Sequence, residues 1–206
     1  MATESMNSSG KKLDRAAAFA ILRKWVQGET LLRHSITVEA VMRHFAGILG
    51  GDPEEWGNIG LLHDIDFEKY PEEHCHRTRE ILTPEGVPEH WIRAIESHGF
   101  GLVTDVKPET PCEKTLYTVD ELTGLISATA IMRPSRSLAD LGVKSVKKKW
   151  KSTGFAAGVN REVISSGAEM LGMDLDRVIA ETIEGMRTVA AEIGLDGSEA
   201  IASPQG

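Results

Sequence analysis

The chain has 206 residues, 41% hydrophobic and 26% charged, with a formal net charge of −8. That length and balance predict a globular protein with one sizeable core, and the acidic excess argues against a general nucleic-acid binder. No apolar run is long enough to span a bilayer. The two cysteines, Cys75 and Cys112, form no CxxC pair and read as unpaired thiols in a reducing cytoplasm.

Met1 to Gly10 is polar and lacks the apolar core of a signal peptide, so residues 1–11 read as a disordered start. A first helix is predicted from about Leu13 to Gln27, where Ala16, Ala20, Ile21 and Trp25 recur at helical spacing before Gly28. A second runs from about Thr30 to Leu49 and stops at Gly50-Gly51. On it His34, Val38, Val41 and Phe45 share a face. Asp52-Pro53-Glu54-Glu55 then supplies a capping acid, a first-position proline and acids in the first turn. This third helix carries Trp56, Ile59, Leu62 and His63 into the core.

After a turn over Phe67 to Pro71, Glu72-Glu73-His74 is predicted to open a helix that continues through Ile81-Leu82. Pro88-Glu89 starts another, with Trp91, Ile95 and His98 at helical spacing. Residues 99–110, with Gly99, Gly101 and Pro108, read as an exposed loop near a site. Pro111 to Met132 predicts a long helix with Leu116, Asp120, Thr123 and Ser127 along one stripe. Residues 133–159 read as irregular except for a short basic helix near Lys144–Lys151. Asn160 caps a helix to about Leu171, and Asp174 caps the last, whose apolar stripe ends at Gly194. The tail over 196–206 reads as loose. No run alternates as a strand does, so the fold class is all-α. The expected architecture is one bundle of roughly eight helices over residues 12–195.

The chemistry is concentrated at Leu61-Leu62-His63-Asp64-Ile65-Asp66, where an apolar helical run ends on adjacent imidazole and carboxylate groups. Such a pair can share one metal ion and suits iron, manganese, cobalt or zinc. His34 lies upstream on a helix, His74 and His98 lie downstream, and Asp120 sits inside an apolar run. Burying an aspartate unpaired is costly; a metal or an ion pair with an arginine would each satisfy it. Taken singly, His34 on its apolar face reads as a core histidine. Only the ordered set points to metal.

That order, His … His-Asp … His … His … Asp, resembles the HD superfamily of metal-dependent phosphohydrolases, over about residues 30 to 130. The runs Leu61–Tyr70, Asp120–Pro134 and Lys144–Asn160 resemble its HDIG-type branch. The resemblance implies that His34, His63, Asp64 and Asp120 hold one metal ion. His74 and His98 match the extra ligands of a second, with Asp64 bridging. One or two divalent transition-metal ions (Mn, Fe, Co or Zn) are therefore implied. His74 is preferred to His76 because it precedes Ile81-Leu82 by seven and eight positions, as the family's histidine does. Some dinuclear members carry a His-His doublet where this chain has His98-Gly99. His44 and His90 match no motif and read as surface or packing residues.

With metal bound, Asp64 and either Asp66 or Glu68 just beyond it are the candidate catalytic carboxylates, the last two reading equally as members of a solvated turn. Arg133, Lys144, Lys147 and Lys148 belong to a basic block that reads either as a phosphate-binding group or as a solvated helix face. The function expected is hydrolysis of a small phosphomonoester, phosphodiester or nucleotide by a metal-activated water. Two alternatives stay open. One is a dinuclear-iron oxygenase built on the same residues, and the other is a regulatory module that binds a nucleotide or metal without turnover.

Overall fold

The computed structural model describes residues 13–152 and 154–198. The expected disordered start over 1–11 and the tail from 199 lie outside the described residues. Among those described are nine α-helices and no strand: α1 Arg15–Trp25, α2 Glu29–Leu49, α3 Pro53–Leu62, α4 Thr78–Leu82, α5 Glu89–Ser97, α6 Pro111–Ile131, α7 Val143–Trp150, α8 Arg161–Leu171 and α9 Leu175–Arg187. The all-α expectation holds. None of these helices is long and apolar enough to cross a membrane.

Local chemistry sets most helix boundaries. Asp14, Asp52, Asn160 and Asp174 each turn a side-chain oxygen onto a backbone N–H of the first turn they precede. Thr110 and Glu113 cap α6 reciprocally, with Pro111 between them. α2 ends where Gly50 takes a left-handed φ of 76°. α2 starts differently, because Gly28 has no side chain to cap it. The Glu68 carboxylate fills that role from a distance, accepting the N–H groups of Gln27 and Gly28 at 2.8–3.2 Å.

α2, α3 and α6 carry the centre of the core, with α8 packed on α6 and α9 on both α2 and α6. Two close approaches make this possible. A Cβ at Gly60 would stand 2.9 Å from Met42 Cγ and 3.0 Å from the Val38 carbonyl, so α3 crosses α2 almost backbone to backbone. At Gly167 it would stand 3.1 Å from the Thr118 Cα, which brings α8 equally near α6. The buried apolar residues form one cluster from Ala18 to Leu195, with Phe45, Leu62, Trp91 and Leu116 among its fully buried members. Cys75 and Cys112 are both free, and both are buried.

Two helix expectations need correction. The stretch expected as one helix from Glu72 through Leu82 is a single 3-10 turn, Pro71–Glu73, then a break, then α4. The break falls at Cys75, whose φ of 66° is incompatible with a right-handed helix. The last helix stops at Arg187 and not at Gly194. Its guanidinium donates to the carbonyls of Leu138, Ala139 and Leu141 at 3.0–3.3 Å, pinning the connection before α7. Beyond it the chain turns back, and Asp196 makes an antiparallel bridge with Ser137.

Candidate metal centre

Four helices bring their donors to one place. His34 comes from the first half of α2, His63 and Asp64 from the end of α3, His98 from the end of α5, and Asp120 from the middle of α6. His74 follows the 3-10 turn. Its position outside any helix, set by the left-handed Cys75, lets it face the cluster while His76 lines a separate outer groove with Leu102 and Asp105. His74, and not His76, is thus the histidine that lies at the cluster, and a break in the chain rather than helix register puts it there.

The donor atoms fall into two groups. His34 Nε2 lies 2.9 Å from Asp120 Oδ1, 3.1 Å from His63 Nε2 and 3.6 Å from Asp64 Oδ2. His63 Nε2 lies 3.3 Å from the same Asp64 Oδ2 and 3.4 Å from Asp120 Oδ1. The other Asp64 oxygen, Oδ1, faces His74 Nε2 at 3.4 Å and His98 Nε2 at 3.7 Å, and these two nitrogens are 3.1 Å apart. One carboxylate thus divides its oxygens between two sets of imidazoles. Ligand atoms bound about 2.0–2.2 Å from one ion stand about 3–3.6 Å from each other, which is the spacing found here.

Tautomers sharpen the fit. His63 and His98 occupy the C-cap positions of α3 and α5, and each donates Nδ1–H to the carbonyl three residues back, Gly60 at 2.8 Å and Ile95 at 2.5 Å. A carbonyl only accepts, so both Nδ1 atoms carry the proton and both Nε2 atoms present lone pairs to the cluster when neutral. His74 is fixed in the same sense by Asp66, whose Oδ1 accepts its Nδ1–H at 2.8 Å. Two neutral imidazoles with lone pairs facing at 3.1 Å repel unless a cation lies between them. The negative ends of the α3 and α5 dipoles add to that demand.

Without a metal ion, protons meet that demand. Burial works against charge on His63, yet Asp64 and Asp120 outweigh it and hold the imidazole well above its usual range. Burial likewise opposes ionisation of Asp64 and Asp120, but the facing His63 and His34 side chains keep both below the usual carboxylate range. Against the pull of burial, the hydrogen bond to Asp66 raises His74. His98, where burial dominates, is pushed down to about 4 and stays a neutral donor. The residues present therefore fit a metal ion, with His34, His63, Asp64, His74, His98 and Asp120 gathered here and Cys75 grouped with His74 and His98. Among the described residues, every cluster of three or more His, Cys, Asp or Glu able to converge on one ion lies here.

Residues 31–125 match the family model of the HD domain. Over that span the chain is similar to an HD domain. HD domains are generally those of metal-dependent phosphohydrolases, and the matched span runs from the foot of α2 to the second half of α6, enclosing all six donors. No match was found among curated proteins or among solved structures.

Around the HD donors, other expected site residues take different places. Asp66 is fully buried, and its oxygens accept from His74, the Arg77 backbone N–H at 3.2 Å and Thr78 Oγ1 at 3.3 Å. It orients a ligand and has no access to substrate, which corrects the expectation of a general acid or base. Glu68 is committed to capping α2, as described above. The basic block is not brought to the donors. Arg133 pairs with Asp140 at 2.5 Å and Lys147 with Asp176 at 2.6 Å, while Lys144 and Lys148 are exposed. None of the four lines either cavity that opens on the cluster.

Those cavities show what the sequence did not. One, of about 310 Å³, is walled by His34, Asp64, His74, His98 and Asp120 together with Glu121, Leu102 and Val103. The other, of about 880 Å³, shares His34, Asp64, Phe67 and Gly124 with it and extends past Leu31, Ile131, Ile193 and Leu195, with Arg33 on its wall. Glu121 and Arg33 each stand beside a donor, Asp120 or His34. Adjacency in sequence was their only signal. Cys75, also unforeseen at the site, brings its Sγ to 3.7 Å from His98 Nε2, and burial raises its thiol pKa so that it stays protonated. The absence of a second histidine after His98 has a physical reason. A Cβ at Gly99 would stand 2.5 Å from Val103 Cγ2 and 2.9 Å from Cys75 Sγ.

Proposed function

We propose that the protein is a metal-dependent phosphohydrolase of the HDIG type that cleaves a small phosphoester. The observation that carries this reading is the division of Asp64, with Oδ2 toward His34 and His63 and Oδ1 toward His74 and His98. His34, His63, Asp64 and Asp120 hold one divalent ion in this reading, and His74, His98 and Asp64 hold a second. Such ions lower the pKa of water toward neutrality and polarise a phosphoryl oxygen. The chain supplies the remaining parts. Asp66 and the Gly60 and Ile95 carbonyls keep three imidazoles in the ligating tautomer. Glu121, on the cavity wall with one oxygen held by the Asn160 N–H at 3.0 Å, is the acid placed to hand a proton to the leaving oxygen. Arg33 takes the phosphate-binding role expected of the basic block.

Elemental analysis of protein purified without chelator, followed by phosphate release from a panel of esters under Mn, Fe, Co and Zn, tests the reading. Metal bound at one or two ions per chain with turnover of at least one ester is the expected result. Full occupancy with no ester cleaved overturns it.

A second reading, oxidation of a C–H bond by a dinuclear iron site, is favoured by one observation, the apolar wall of the larger cavity. Oxygen uptake by iron-loaded protein in the presence of candidate substrates separates it from hydrolysis.

A further inference from the structure

Among the described residues, five large apolar side chains are exposed: Phe67, Leu102, Val103, Ile131 and Met132. Four of them line the two cavities that open on the His and Asp cluster, Phe67 lining both. Exposed apolar surface costs free energy in water, and its gathering at one site marks a binding surface for an apolar group. The larger cavity continues the same character through Leu31, Pro71, Ile193 and Leu195. Its volume of about 880 Å³ falls in the range that buries a drug-sized organic molecule.

Charge points the same way. Among the described residues, Arg33 is the single Lys or Arg lining either cavity, and Glu68 and Glu121 stand on the walls beside the donor carboxylates. A nucleoside di- or triphosphate presents several anionic groups and calls for a matching set of basic donors. Arg133 and Lys147, from the basic block, are paired with Asp140 and Asp176 and line neither cavity.

We propose that the substrate is the monophosphate ester of an apolar alcohol, its hydrocarbon body in the Leu31–Ile131–Leu195 cavity and its phosphate at the His and Asp cluster beside Arg33. The proposal rests on the phosphohydrolase reading and narrows it. The reaction is R–O–PO3 dianion plus water giving R–OH plus hydrogen phosphate. The water oxygen forms the new P–O bond, and the P–O(R) bond breaks. Its electron pair leaves with the alcohol oxygen, which takes up a proton.

The test uses the metal-loaded full chain and a series of straight-chain alkyl monophosphates of increasing length, with AMP and ATP alongside. Each added methylene that enters the cavity should raise kcat/KM about fourfold until the cavity is filled. Ile131→Glu, at an exposed position, should flatten that dependence, and Leu31→Gln should do so from the opposite wall. Calorimetry with alkylphosphonates and with the matching alcohols gives a readout independent of turnover. Affinity should rise with chain length and be lost without the phosphonate. Efficient cleavage of ATP or AMP with no dependence on alkyl length would overturn this inference and leave the phosphohydrolase reading standing. Cleavage of no ester, with alcohols binding as tightly as phosphonates, would overturn both.

Discussion

Asp66 holds His74 by accepting its Nδ1–H at 2.8 Å on a carboxylate that solvent does not reach. The pair lies between the backbone of α4 and the donor cluster, so one carboxylate both anchors a helix start and aims a ligand. Asp66→Asn keeps the shape but loses the charge that favours Nδ1–H on His74. Metal affinity should fall about ten- to a hundredfold, the usual cost of losing such a partner. A competition titration with a chromogenic chelator measures it. Unchanged affinity would reduce Asp66 to a folding role.

The two donor groups predict a stoichiometry. His74→Ala and His98→Ala should each lower bound metal toward one ion per chain, whereas Asp64→Ala should deplete both positions. His76→Ala, whose side chain lines the outer groove, should leave metal content unchanged. Inductively coupled plasma analysis of the four variants decides, and dependence on His76 would show the proposed second set to be wrong.

If Glu121 protonates the leaving oxygen, Glu121→Gln should lower kcat about a hundredfold or more with metal content intact. The defect should shrink for esters whose leaving group is already a weak base, such as a nitrophenol. An equal loss across leaving groups would assign Glu121 to shaping the cavity.

Arg33 and the basic block can be told apart. Losing a charge-assisted hydrogen bond to an anion costs roughly 1.5–3 kcal/mol, about ten- to a hundredfold in kcat/KM. Arg33→Met should show that loss for phosphoesters. Lys144→Met, Lys147→Met and Lys148→Met should fall within about 0.5 kcal/mol of wild type in stability and should keep full turnover. The reverse pattern, measured by steady-state kinetics, would move the phosphate to α7.

Acid stability offers a test far from the metal. Glu113 is buried and ion-paired with Arg93. Burial alone would raise its pKa, but the Thr110 N–H, the Arg93 guanidinium and the Glu109 N–H outweigh it and hold it below the usual glutamate range. Its folded value is thus below its unfolded one, about 4.3. The stability it contributes is fully present above that pH and is lost as pH falls through the folded value. Glu113→Gln should lower Tm at pH 7, and its gap to wild type should narrow as pH approaches 3. A gap independent of pH would leave the charge no role.

Much of the donor set was legible because ligand identity travels with local pattern. His34 and Asp120 sit at helical spacing among core residues, and His63-Asp64 marks a helix end. What stayed hidden depends on partners remote in sequence. Glu68 reads as a solvated acid until Gln27 and Gly28 are seen against it. Asp66 reads as a proton carrier until His74 and Thr78 close around it. The basic block reads as an anion site until Asp140 and Asp176 take two of its charges. The break at Cys75 had no glycine or proline to announce it, since the strain is held by tertiary packing.

His63 and His98 borrow their ligating tautomer from the carbonyls of Gly60 and Ile95, each in the last turn of its own helix. Such a ligand exists only while that turn is wound. Fraying of α3 or α5 would free the Nδ1 proton and withdraw a donor from a bound ion. By linkage, an ion that binds the wound form must suppress the fraying. Retention of metal and amide-exchange protection at two helix ends therefore report a single local-unfolding equilibrium, and anything that loosens either helix end loosens the grip on the ion.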